Sequence, residues 1–563
     1  LPTVITITLS IGISNLAKKK TVVKQMQAVE TLGAIDIICS DKTGTITQNK
    51  MSVKEEYVLD ENMLNYICAL CNDGLIYKDK YVGDPTETCL YDYLYNKKID
   101  PLKLRKKCDR ILDIPFDSDR KMFTTLNKID NDIYILCKGS MESLIEKVNL
   151  TKSEKNDILD KVKCLSKDAL RTLGFAYKKI DYIPKNIKEL EKEEKDLSFA
   201  GILGMIDPPR KNVKKSVLLC KKAGIRPIMI TGDSIDTATA IAKNVGIITN
   251  DNEAIIGSEL DKYNDNELKD IVKKYSVYAR VNPSHKERIV FALQNSGKIV
   301  AMTGDGVNDA PAIKDAHVGV GMGITGTDVT KSASDIVLMD DSFSTIVVAV
   351  EEGRRIYNNI RNNIVFSLSS NFAEIFTIII GLLTKKTILL PIYILFIDLV
   401  TDSIPSICLS FEKSEDDIMN KKPRGIDKPL FTSFIKSCIA SSAIIETIFV
   451  VFTYFISLKN YGQETAMSLA LLSMVIQEIV YSISCRNLKQ SIIKQGIFSN
   501  KPMNYGILLI LLIELIVFIT PIGKLISITS IDIRLILVVS IINLMSIFIY
   551  ELIKPLLVKW FKD

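Results

Sequence analysis

The distribution of apolar residues divides this chain into two unlike parts. Nearly all of its long apolar runs lie after Leu338, whereas the stretch from Ala17 to about Asp340 carries charged residues throughout. A helix needs ~20 apolar residues to cross a bilayer, and six segments of the second part approach that length. They lie at about 364–383, 388–409, 434–457, 466–484, 504–523 and 534–554. We therefore predict a water-exposed region followed by a bundle of six membrane helices.

An even number of crossings returns the end of the chain to the side of the membrane on which the polar region lies. The loop Glu412–Lys428, between the second and third segments, is rich in Lys, and Lys554, Lys559 and Lys562 lie near the end of the chain. Positive charge of this kind marks the cytoplasmic side. We expect a multi-pass protein, in the plasma membrane, with its polar region in the cytoplasm.

Residues 1–16 are also apolar, but they are too few to span a bilayer. They lack the basic start and the small-residue cleavage site of a signal peptide. We interpret them as the C-terminal half of a transmembrane helix.

Charge and cysteine content exclude several other classes of protein. The 72 Lys and Arg residues nearly balance the 66 Asp and Glu residues, and no basic arm is present, so we expect no nucleic-acid partner. The 11 Cys residues are odd in number and scattered, which indicates a reducing compartment rather than a disulfide framework. Cys68 and Cys71 form the only CxxC pair, and with two His residues in the chain we expect no zinc site.

Three short apolar runs in the polar region end before a polar loop and a helical pattern. They are the runs that precede Asp41, Thr231 and Thr303. Repetition of strand, loop and helix is typical of a doubly wound parallel sheet, whose ligands bind at the carboxyl ends of the strands. The long block between the first unit and the others contains strands of its own, such as residues 133–138, and is predicted to be an inserted domain.

The stretch Cys-Ser-Asp-Lys-Thr-Gly-Thr-Ile-Thr at residues 39–47 carries the strongest chemical signal. A carboxylate at the end of a buried strand, followed by a glycine turn, is open to an electrophile, and nearby backbone N–H groups can hold phosphate oxygens. Phosphoryl transfer needs a nucleophile, a cation and a carboxylate for Mg²⁺. Asp41, Lys286 and Asp305 supply these three groups.

At these residues the sequence resembles the haloacid-dehalogenase superfamily, and the run Asp-Lys-Thr-Gly-Thr-Ile-Thr at 41–47 narrows the resemblance to the P-type ATPases. The resemblance implies that Asp41 attacks the γ-phosphate of ATP and becomes an aspartyl phosphate. It also implies that Asp41, Asp305 and the carbonyl of Thr43 hold Mg²⁺. The residues that it places at the reacting phosphate are Asp41, Thr43, Thr231, Gly232, Asp233, Lys286, Asn308 and Asp309.

Thr43 has a chemical meaning of its own. Related phosphatases carry a second Asp two residues after the nucleophile as a general acid and base, and a threonine cannot shuttle protons near neutral pH. We therefore expect the phosphoenzyme to persist long enough to be coupled to a slower process.

The inserted block resembles the nucleotide-binding domain of the same family. The positions that this resemblance assigns to ATP are Glu87, Phe116, Lys121, Lys138, Gly139 and Arg171. Arg280, which lies after the block, is also expected to bind ATP. Asp207-Pro-Pro-Arg210 resembles the hinge that returns to the phosphorylation domain.

The run Gly321–Gly326 also satisfies the GxGxxG pattern of dinucleotide binders, but the phosphorylation motif explains its neighbours better. No P-loop sequence is present.

Polar residues inside the apolar segments predict an ion-binding site. A carboxylate at the centre of a membrane helix costs at least ~2.5 to 3.5 kcal/mol, so each one is a functional hypothesis. Glu374 follows Asn371 by one helical turn, and Asp398, Thr401 and Asp402 precede Pro405, which frees backbone carbonyls for a hard cation. Interhelical hydrogen bonding is the alternative for this cluster and above all for Glu478.

The same residues resemble those of the type II cation pumps, which include calcium pumps and the sodium/potassium pump. The cation ligands that the resemblance implies are Asn371, Glu374, Asp398, Thr401, Asp402 and Glu478. Calcium is the first expectation, but calcium pumps usually have Asn where Asp398 stands, so a sodium/potassium-type pump remains an alternative. A membrane-tethered phosphatase and a non-pumping fragment are alternatives of another class.

The resemblance implies a multidomain fold with α/β domains and an α-helical membrane part. A haloacid-dehalogenase-like Rossmannoid phosphorylation domain (17–49 and 206–345) would carry an inserted α+β nucleotide-binding domain (50–205), followed by a transmembrane helical bundle (346–563). The family also needs an actuator segment with a Thr-Gly-Glu-Ser loop, and this tetrapeptide does not occur here. We expect the chain as given to bind ATP and Mg²⁺ without completing transport.

Overall fold

A computed structural model describes residues 2–77, 80–117, 119–167, 170–415, 417–425, 429–529 and 531–561. Leu1 of the first apolar segment, Ser118, residues 416 and 426–428 of the lysine-rich loop, and Lys562 lie outside the described residues. The predicted fold class is confirmed: α/β domains built on separate sheets are joined to a bundle of apolar helices.

The chain begins with elements that lead to the predicted nucleophile. They are α1 (Pro2–Lys18), β1 (Thr21–Val23), α2 (Met26–Leu32) and β2 (Ile37–Asp41). Strand β2 is buried along its length up to Asp41, which is half-buried, and an irregular turn at Lys42–Ile46 follows it. An unbroken apolar strand of this kind belongs in the middle of a parallel sheet.

The inserted block folds around an antiparallel sheet. Its strands are β3 (Ser52–Val58), β4 (Leu75–Tyr77), β5 (Lys80–Val82), β6 (Asp109–Asp117), β7 (Met122–Ile129), β8 (Asp132–Gly139), β9 (Arg171–Ile180) and β10 (Ser198–Ile206). Its helices are α3 (Glu61–Leu70), α4 (Pro85–Asn96), α5 (Pro101–Lys107), α6 (Met141–Leu144), α7 (Lys152–Lys167) and α8 (Ile187–Lys192). Six strands pair in the order β3-β10-β9-β8-β7-β6, and β4 and β5 form a separate hairpin.

The chain then returns to the sheet that contains β2. The strands are β11 (Arg226–Ile230), β12 (Ala254–Ile256), β13 (Val277–Ala279), β14 (Val300–Gly304), β15 (Val318–Met322) and β16 (Ile336–Leu338). The helices between them are α9 (Val213–Lys222), α10 (Ile235–Val245), α11 (Gly257–Leu260), α12 (Asp265–Ile271), α13 (Pro283–Asn295), α14 (Ala310–Asp315) and α15 (Asp328–Ala333).

This sheet has the order β1-β16-β15-β14-β2-β11-β13-β12, and its described pairs are parallel except for β1 with β16. Strand β2 lies between β14 and β11, where the strand order reverses. The carboxyl ends of these three strands therefore meet at one edge, where α/β folds bind their ligands. The sequence prediction of a doubly wound parallel sheet is confirmed.

The last part of the chain is helical. Its helices are α16 (Phe343–Leu383), α17 (Pro391–Phe396), α18 (Ser403–Leu409), α19 (Ser433–Tyr461), α20 (Gln463–Ser484), α21 (Ile492–Gln495), α22 (Lys501–Ile519), α23 (Ile533–Leu544) and α24 (Ser546–Trp560). A π-helical turn at Ile397–Asp402 joins α17 to α18. Within the described residues, six helical spans are long and apolar enough to cross a membrane, and each overlaps one of the six predicted segments. The second span begins at Pro391 rather than near residue 388, and the fifth ends at Ile519 rather than near residue 523.

Helix α16 differs from the prediction because it begins at Phe343 rather than near residue 364. Its first half is not a membrane segment by composition but packs against the sheet domain. Gly353 lies so close to Gly33, just after α2, that a Cβ on Gly353 would stand 2.7 Å from the Gly33 nitrogen. A single helix of 41 residues, about 60 Å long at 1.5 Å per residue, thus runs from the sheet into the helical bundle.

Candidate functional site

Asp41 stands at the carboxyl end of β2, at the edge where the strand order reverses. Its backbone N–H donates to Thr303 Oγ1 (3.3 Å), and its Oδ1 accepts from the backbone N–H of Thr43 (3.4 Å). The chain then turns at Gly44, whose φ of +74° lies in the left-handed region that favours glycine. This turn leaves Thr43 exposed and Asp41 half-buried, so the carboxylate is open on one side.

Lys286 joins Asp41, the predicted nucleophile, to a second carboxylate. It is a buried residue of α13, and its Nζ donates to Asp41 Oδ2 (2.8 Å) and to Asp309 Oδ1 (2.7 Å). Burial alone lowers the pKa of the Lys286 ammonium, but the charges of Asp41 and Asp309 outweigh it and hold the pKa above its ordinary value. Lys286 therefore remains positively charged beside the nucleophile, where it can balance the charge of a phosphate.

Asp309 also shapes the loop that carries Asp305. Its Oδ2 accepts from the backbone N–H groups of Asp305 (3.3 Å) and Gly306 (3.2 Å). Burial, followed by the charge of Asp41, raises the pKa of the Asp305 carboxyl. Two carboxylates that repel each other in this way fit a divalent cation between them.

The donor set at this edge suits Mg²⁺. That ion binds one or two protein carboxylates and takes its other ligands from water and substrate phosphates. Asp41 and Asp305 would supply the carboxylates, and the Thr43 carbonyl would supply a third oxygen. Across the described part of the chain, no three His, Cys, Asp or Glu residues are grouped so that they could hold a metal ion by themselves.

The residues predicted after β11 lie at the same edge. Thr231 is buried, its N–H donates to the Tyr278 carbonyl (2.9 Å), and its Oγ1 accepts from the N–H of Asp233 (3.2 Å). Gly232 is exposed, with open space where a side chain would stand. Arg280, also exposed, donates its backbone N–H to the Asp233 carbonyl (2.9 Å), so it belongs to this edge. Asn308 is exposed on the loop between Asp305 and Asp309.

Sequence reasoning missed several residues of this edge. Lys42 is buried and forms an ion pair with Asp233. Arg210 donates from Nη2 to the Gly44 carbonyl (2.6 Å), from Nε to the Thr47 carbonyl (3.2 Å) and from Nη1 to the Asp340 carbonyl (3.2 Å). Lys42 and Arg210 lie inside motifs that the sequence had marked, so motif membership was their only signal.

In the inserted domain, Glu87 and Lys138 form one unit. Lys138 is buried at the end of β8, and its Nζ donates to both carboxylate oxygens of Glu87 (2.6 and 2.5 Å) on α4. Gly139 follows, and a Cβ there would stand 2.6 Å from the Lys121 carbonyl, so only glycine fits this close approach. The pair is fixed in place before any ligand binds.

The other predicted nucleotide residues are accessible. Phe116 on β6 is 61% exposed, which is unusual for a large aromatic residue and suits stacking on a purine ring. Lys121 lies 3.3 Å from Glu142, and exposed Arg171 donates to Thr86 Oγ1 (3.5 Å). The structure thus offers an aromatic face and several cations at one domain.

Glu478 joins three parts of the helical bundle. It is fully buried on α20, and its oxygens accept hydrogen bonds from Ser370 of α16 (2.5 Å) and from Thr401 of the π-helical turn. Glu374 and Asp402 each have a buried carboxylate oxygen without a hydrogen-bond partner. These four predicted residues therefore line a shared polar interior.

Asn371 and Asp398, the two other predicted cation ligands, do not share the burial of these four residues. Both are exposed, and the Asn371 amide donates to the Ser367 carbonyl of its own helix (2.8 Å). Sequence reasoning did not single out Glu446 of α19, which is fully buried near Glu374 and Asp402.

Comparisons with known proteins identify the family of this chain. The family described as "P-type ATPase, cytoplasmic domain N" matches residues 61–212, and "Cation transporting ATPase, C-terminus" matches residues 386–556. The chain is 39% identical to Calcium-transporting ATPase 1 of Bacillus cereus, over 98% of this chain and 67% of that protein. It is 38% identical to Calcium-transporting ATPase 1 of Lactococcus lactis, over 89% and 60%.

A yeast protein extends the similarity beyond bacteria. Calcium-transporting ATPase 1 of Saccharomyces cerevisiae is 34% identical over 99% of this chain and 64% of its own length. The chain thus spans 60 to 67% of the length of these three relatives.

Proposed function

This chain belongs to the P-type cation-transporting ATPases, and we propose that it forms the phosphorylation, nucleotide-binding and ion-binding parts of an ATP-driven calcium pump. The observation that carries the proposal is the bridge of Lys286 between Asp41 and Asp309, beside Asp305. It joins the proposed nucleophile to a cation, and Asp309 at its other end accepts from the backbone N–H of Asp305, the proposed carboxylate for Mg²⁺.

The proposed phosphoryl transfer begins when Asp41 attacks the γ-phosphorus of ATP. A bond forms between a carboxylate oxygen and phosphorus, the bond to the bridging oxygen breaks, and ADP leaves. Lys286 balances charge on the transferring group, and the backbone of the Lys42–Ile46 turn and Thr231 orient its oxygens. Mg²⁺, when held by Asp41, Asp305 and the Thr43 carbonyl, neutralises further phosphate charge.

ATP would reach Asp41 from the inserted domain. The exposed ring of Phe116 would stack on the adenine, while Lys121, Lys138 and Arg171 would face the phosphates. Because Thr43 cannot act as a general base, water is not activated from that position, and the aspartyl phosphate outlasts that of a phosphatase. This property favours a pump over the membrane-tethered phosphatase.

The cation would bind among Glu374, Thr401, Asp402 and Glu478. Calcium takes six to eight oxygen ligands in flexible geometry, and these side chains supply oxygens from three elements of the bundle. The relatives named above are calcium-transporting ATPases. Helix α16 carries Glu374 and begins at the phosphorylation domain, so it links the two sites. We propose the plasma membrane as the location, with the α/β domains in the cytoplasm.

Phosphorylation by labelled ATP tests this proposal. The product of the whole gene, purified in detergent, is incubated with γ-labelled ATP, Mg²⁺ and either calcium or sodium. We expect an acid-stable, hydroxylamine-sensitive phosphoenzyme that calcium stimulates and that Asp41→Asn abolishes. Labelling that survives in Asp41→Asn overturns the nucleophile, and stimulation by sodium alone favours the sodium/potassium alternative.

A further inference from the structure

Asp341, at the start of α16, has an unusual set of hydrogen bonds. It is buried, and its Oδ1 accepts from the backbone N–H groups of Gly323 (2.7 Å) and Ile324 (3.0 Å), while its Oδ2 accepts from that of Thr325 (2.8 Å). Three donors converge on one carboxylate, an arrangement that holds a loop firmly. The loop belongs to the Gly321–Gly326 run, which matches the GxGxxG pattern but was not assigned to a dinucleotide.

The backbone of Asp341 is itself constrained. Its φ is +51°, a conformation that non-glycine residues seldom adopt and that Asp and Asn tolerate best. Strain of this kind persists only where surrounding contacts enforce it. Gly323 donates its N–H to the Leu338 carbonyl (2.8 Å), so the loop is also fixed to the end of β16.

The other end of the loop reaches the predicted magnesium carboxylate. Burial raises the pKa of the Asp305 carboxyl, and the nearby Thr325 hydroxyl opposes this effect. Thr327 N–H and Thr330 Oγ1 both donate to the Asp305 carbonyl (3.0 and 3.1 Å). The side chain and the backbone of Asp305 are therefore both held by the segment that Asp341 anchors.

We propose that Asp341 is a positioning residue that fixes Asp305, through Thr325, relative to the first turn of α16. The inference rests on the proposed function, in which Asp305 binds Mg²⁺ and α16 links the phosphorylation site to the cation site. Phe343, the first residue of α16, follows Asp341 closely, so a displacement of this helix would move the carboxylate that anchors the loop. Occupancy of the magnesium site and the position of α16 would then depend on each other.

The test is Asp341→Asn in the product of the whole gene. Asn tolerates the same φ but replaces one acceptor oxygen with an NH₂ group, which cannot accept from a backbone N–H of the loop. We expect the Mg²⁺ concentration for half-maximal phosphorylation to rise about 10-fold, with an unchanged KM for ATP, because the inserted domain is untouched. Asp335→Asn is the matched control: it makes the same exchange at a carboxylate that accepts one bond, from Gly319 N–H (2.8 Å), which the amide oxygen of Asn can still accept, and it does not contact Thr325.

Thr325 provides a second test that spares the fold, since its side chain is exposed. Thr325→Ala should raise the Mg²⁺ requirement like Asp341→Asn, and Thr325→Ser should restore it because the hydroxyl remains. Mg²⁺ dependence equal to wild type in Asp341→Asn or in Thr325→Ala overturns the inference. A wild-type protein that forms no phosphoenzyme at all instead overturns the proposed function, so the two failures are distinct.

Discussion

The guanidinium of Arg210 donates a hydrogen bond of 2.6 Å to the carbonyl oxygen of Gly44, in the turn that follows the nucleophile. Its two other bonds, to Thr47 and Asp340, fix this turn to the segment that begins α16. We predict that Arg210→Met slows phosphoenzyme formation about 10- to 100-fold, because a displaced turn misaligns Asp41 with the γ-phosphate. Rapid-quench labelling measures the rate. Lys211→Met, a neighbouring exposed residue, should behave like wild type, and an equal loss in both variants contradicts the prediction.

Lys286 should be needed for chemistry more than for ATP binding. Lys286→Met leaves Asp41 and Asp309 without their shared cation, so we predict a 10²- to 10³-fold slower phosphorylation with little change in ATP affinity. Lys298 offers a comparison, because its ion pair with Asp36 (3.6 Å) lies at the opposite edge of the same sheet. Lys298→Met should phosphorylate normally. Loss of ATP binding in Lys286→Met would instead indicate a structural role.

The raised pKa of Lys286 predicts the direction of a pH effect. The folded protein holds this proton more tightly than the unfolded chain does, so the resulting stabilisation is complete below the ordinary lysine pKa and is lost as pH rises through the raised value. Thermal unfolding of wild type and Lys286→Met should therefore differ most at neutral and mildly alkaline pH and converge in strong alkali. A gap that widens with increasing pH would contradict this assignment.

The sequence was sufficient to predict the sheet edge at which the candidate site lies, because strand and loop patterns are local. Asp41 and Thr303 each end a short apolar run, and parallel strands bring such ends together. It did not reveal the contacts of Arg210 or Asp341, since their partners are backbone carbonyl and N–H groups, which have no side-chain signature in a sequence.

In the helical part, too, the sequence did not predict features that depend on tertiary packing. Apolar runs predicted the membrane segments, but they could not show that α16 extends back to Phe343, because its first half is polar and packs on the sheet domain. The sequence around Glu446 did not indicate an ion-binding residue, because no second candidate ligand lies one helical turn away on α19. Its burial beside Glu374 and Asp402 is a property of the assembled bundle.

The Glu87 and Lys138 pair should control nucleotide affinity. Lys138→Gln removes a buried cation and leaves Glu87 without its charged partner, so we predict about 10-fold weaker ATP binding, equal to about 1.4 kcal/mol. Fluorescent-nucleotide titration in the absence of Mg²⁺ measures this affinity apart from the chemistry. Lys128→Gln, an exposed lysine near the far end of β7, is the control. Equal affinities in the two variants would exclude Lys138 from the nucleotide site.

The contact between Gly33 and Gly353 should tolerate no side chain. Alanine favours a helix over glycine by about 1 kcal/mol, so Gly353→Ala would stabilise α16 if space allowed. The new Cβ would meet backbone atoms of Gly33, which cannot rotate away, and we predict a net loss of about 1 to 3 kcal/mol. Thermal unfolding should show a lower midpoint. A higher midpoint would mean that α16 and α2 separate at little cost.

A comparison of Thr401 with Ser370 distinguishes a residue that binds the cation from one that only donates a hydrogen bond to Glu478. Both donate to buried Glu478, and removal of either hydroxyl should cost about 1 to 3 kcal/mol by leaving one carboxylate oxygen unsatisfied. Only Thr401 is predicted to bind the cation as well. We therefore expect Thr401→Val and Ser370→Ala to lower the unfolding temperature alike, while only Thr401→Val raises the calcium concentration needed for half-maximal phosphorylation, by about 10-fold. Equal calcium requirements would show that Thr401 acts only through Glu478.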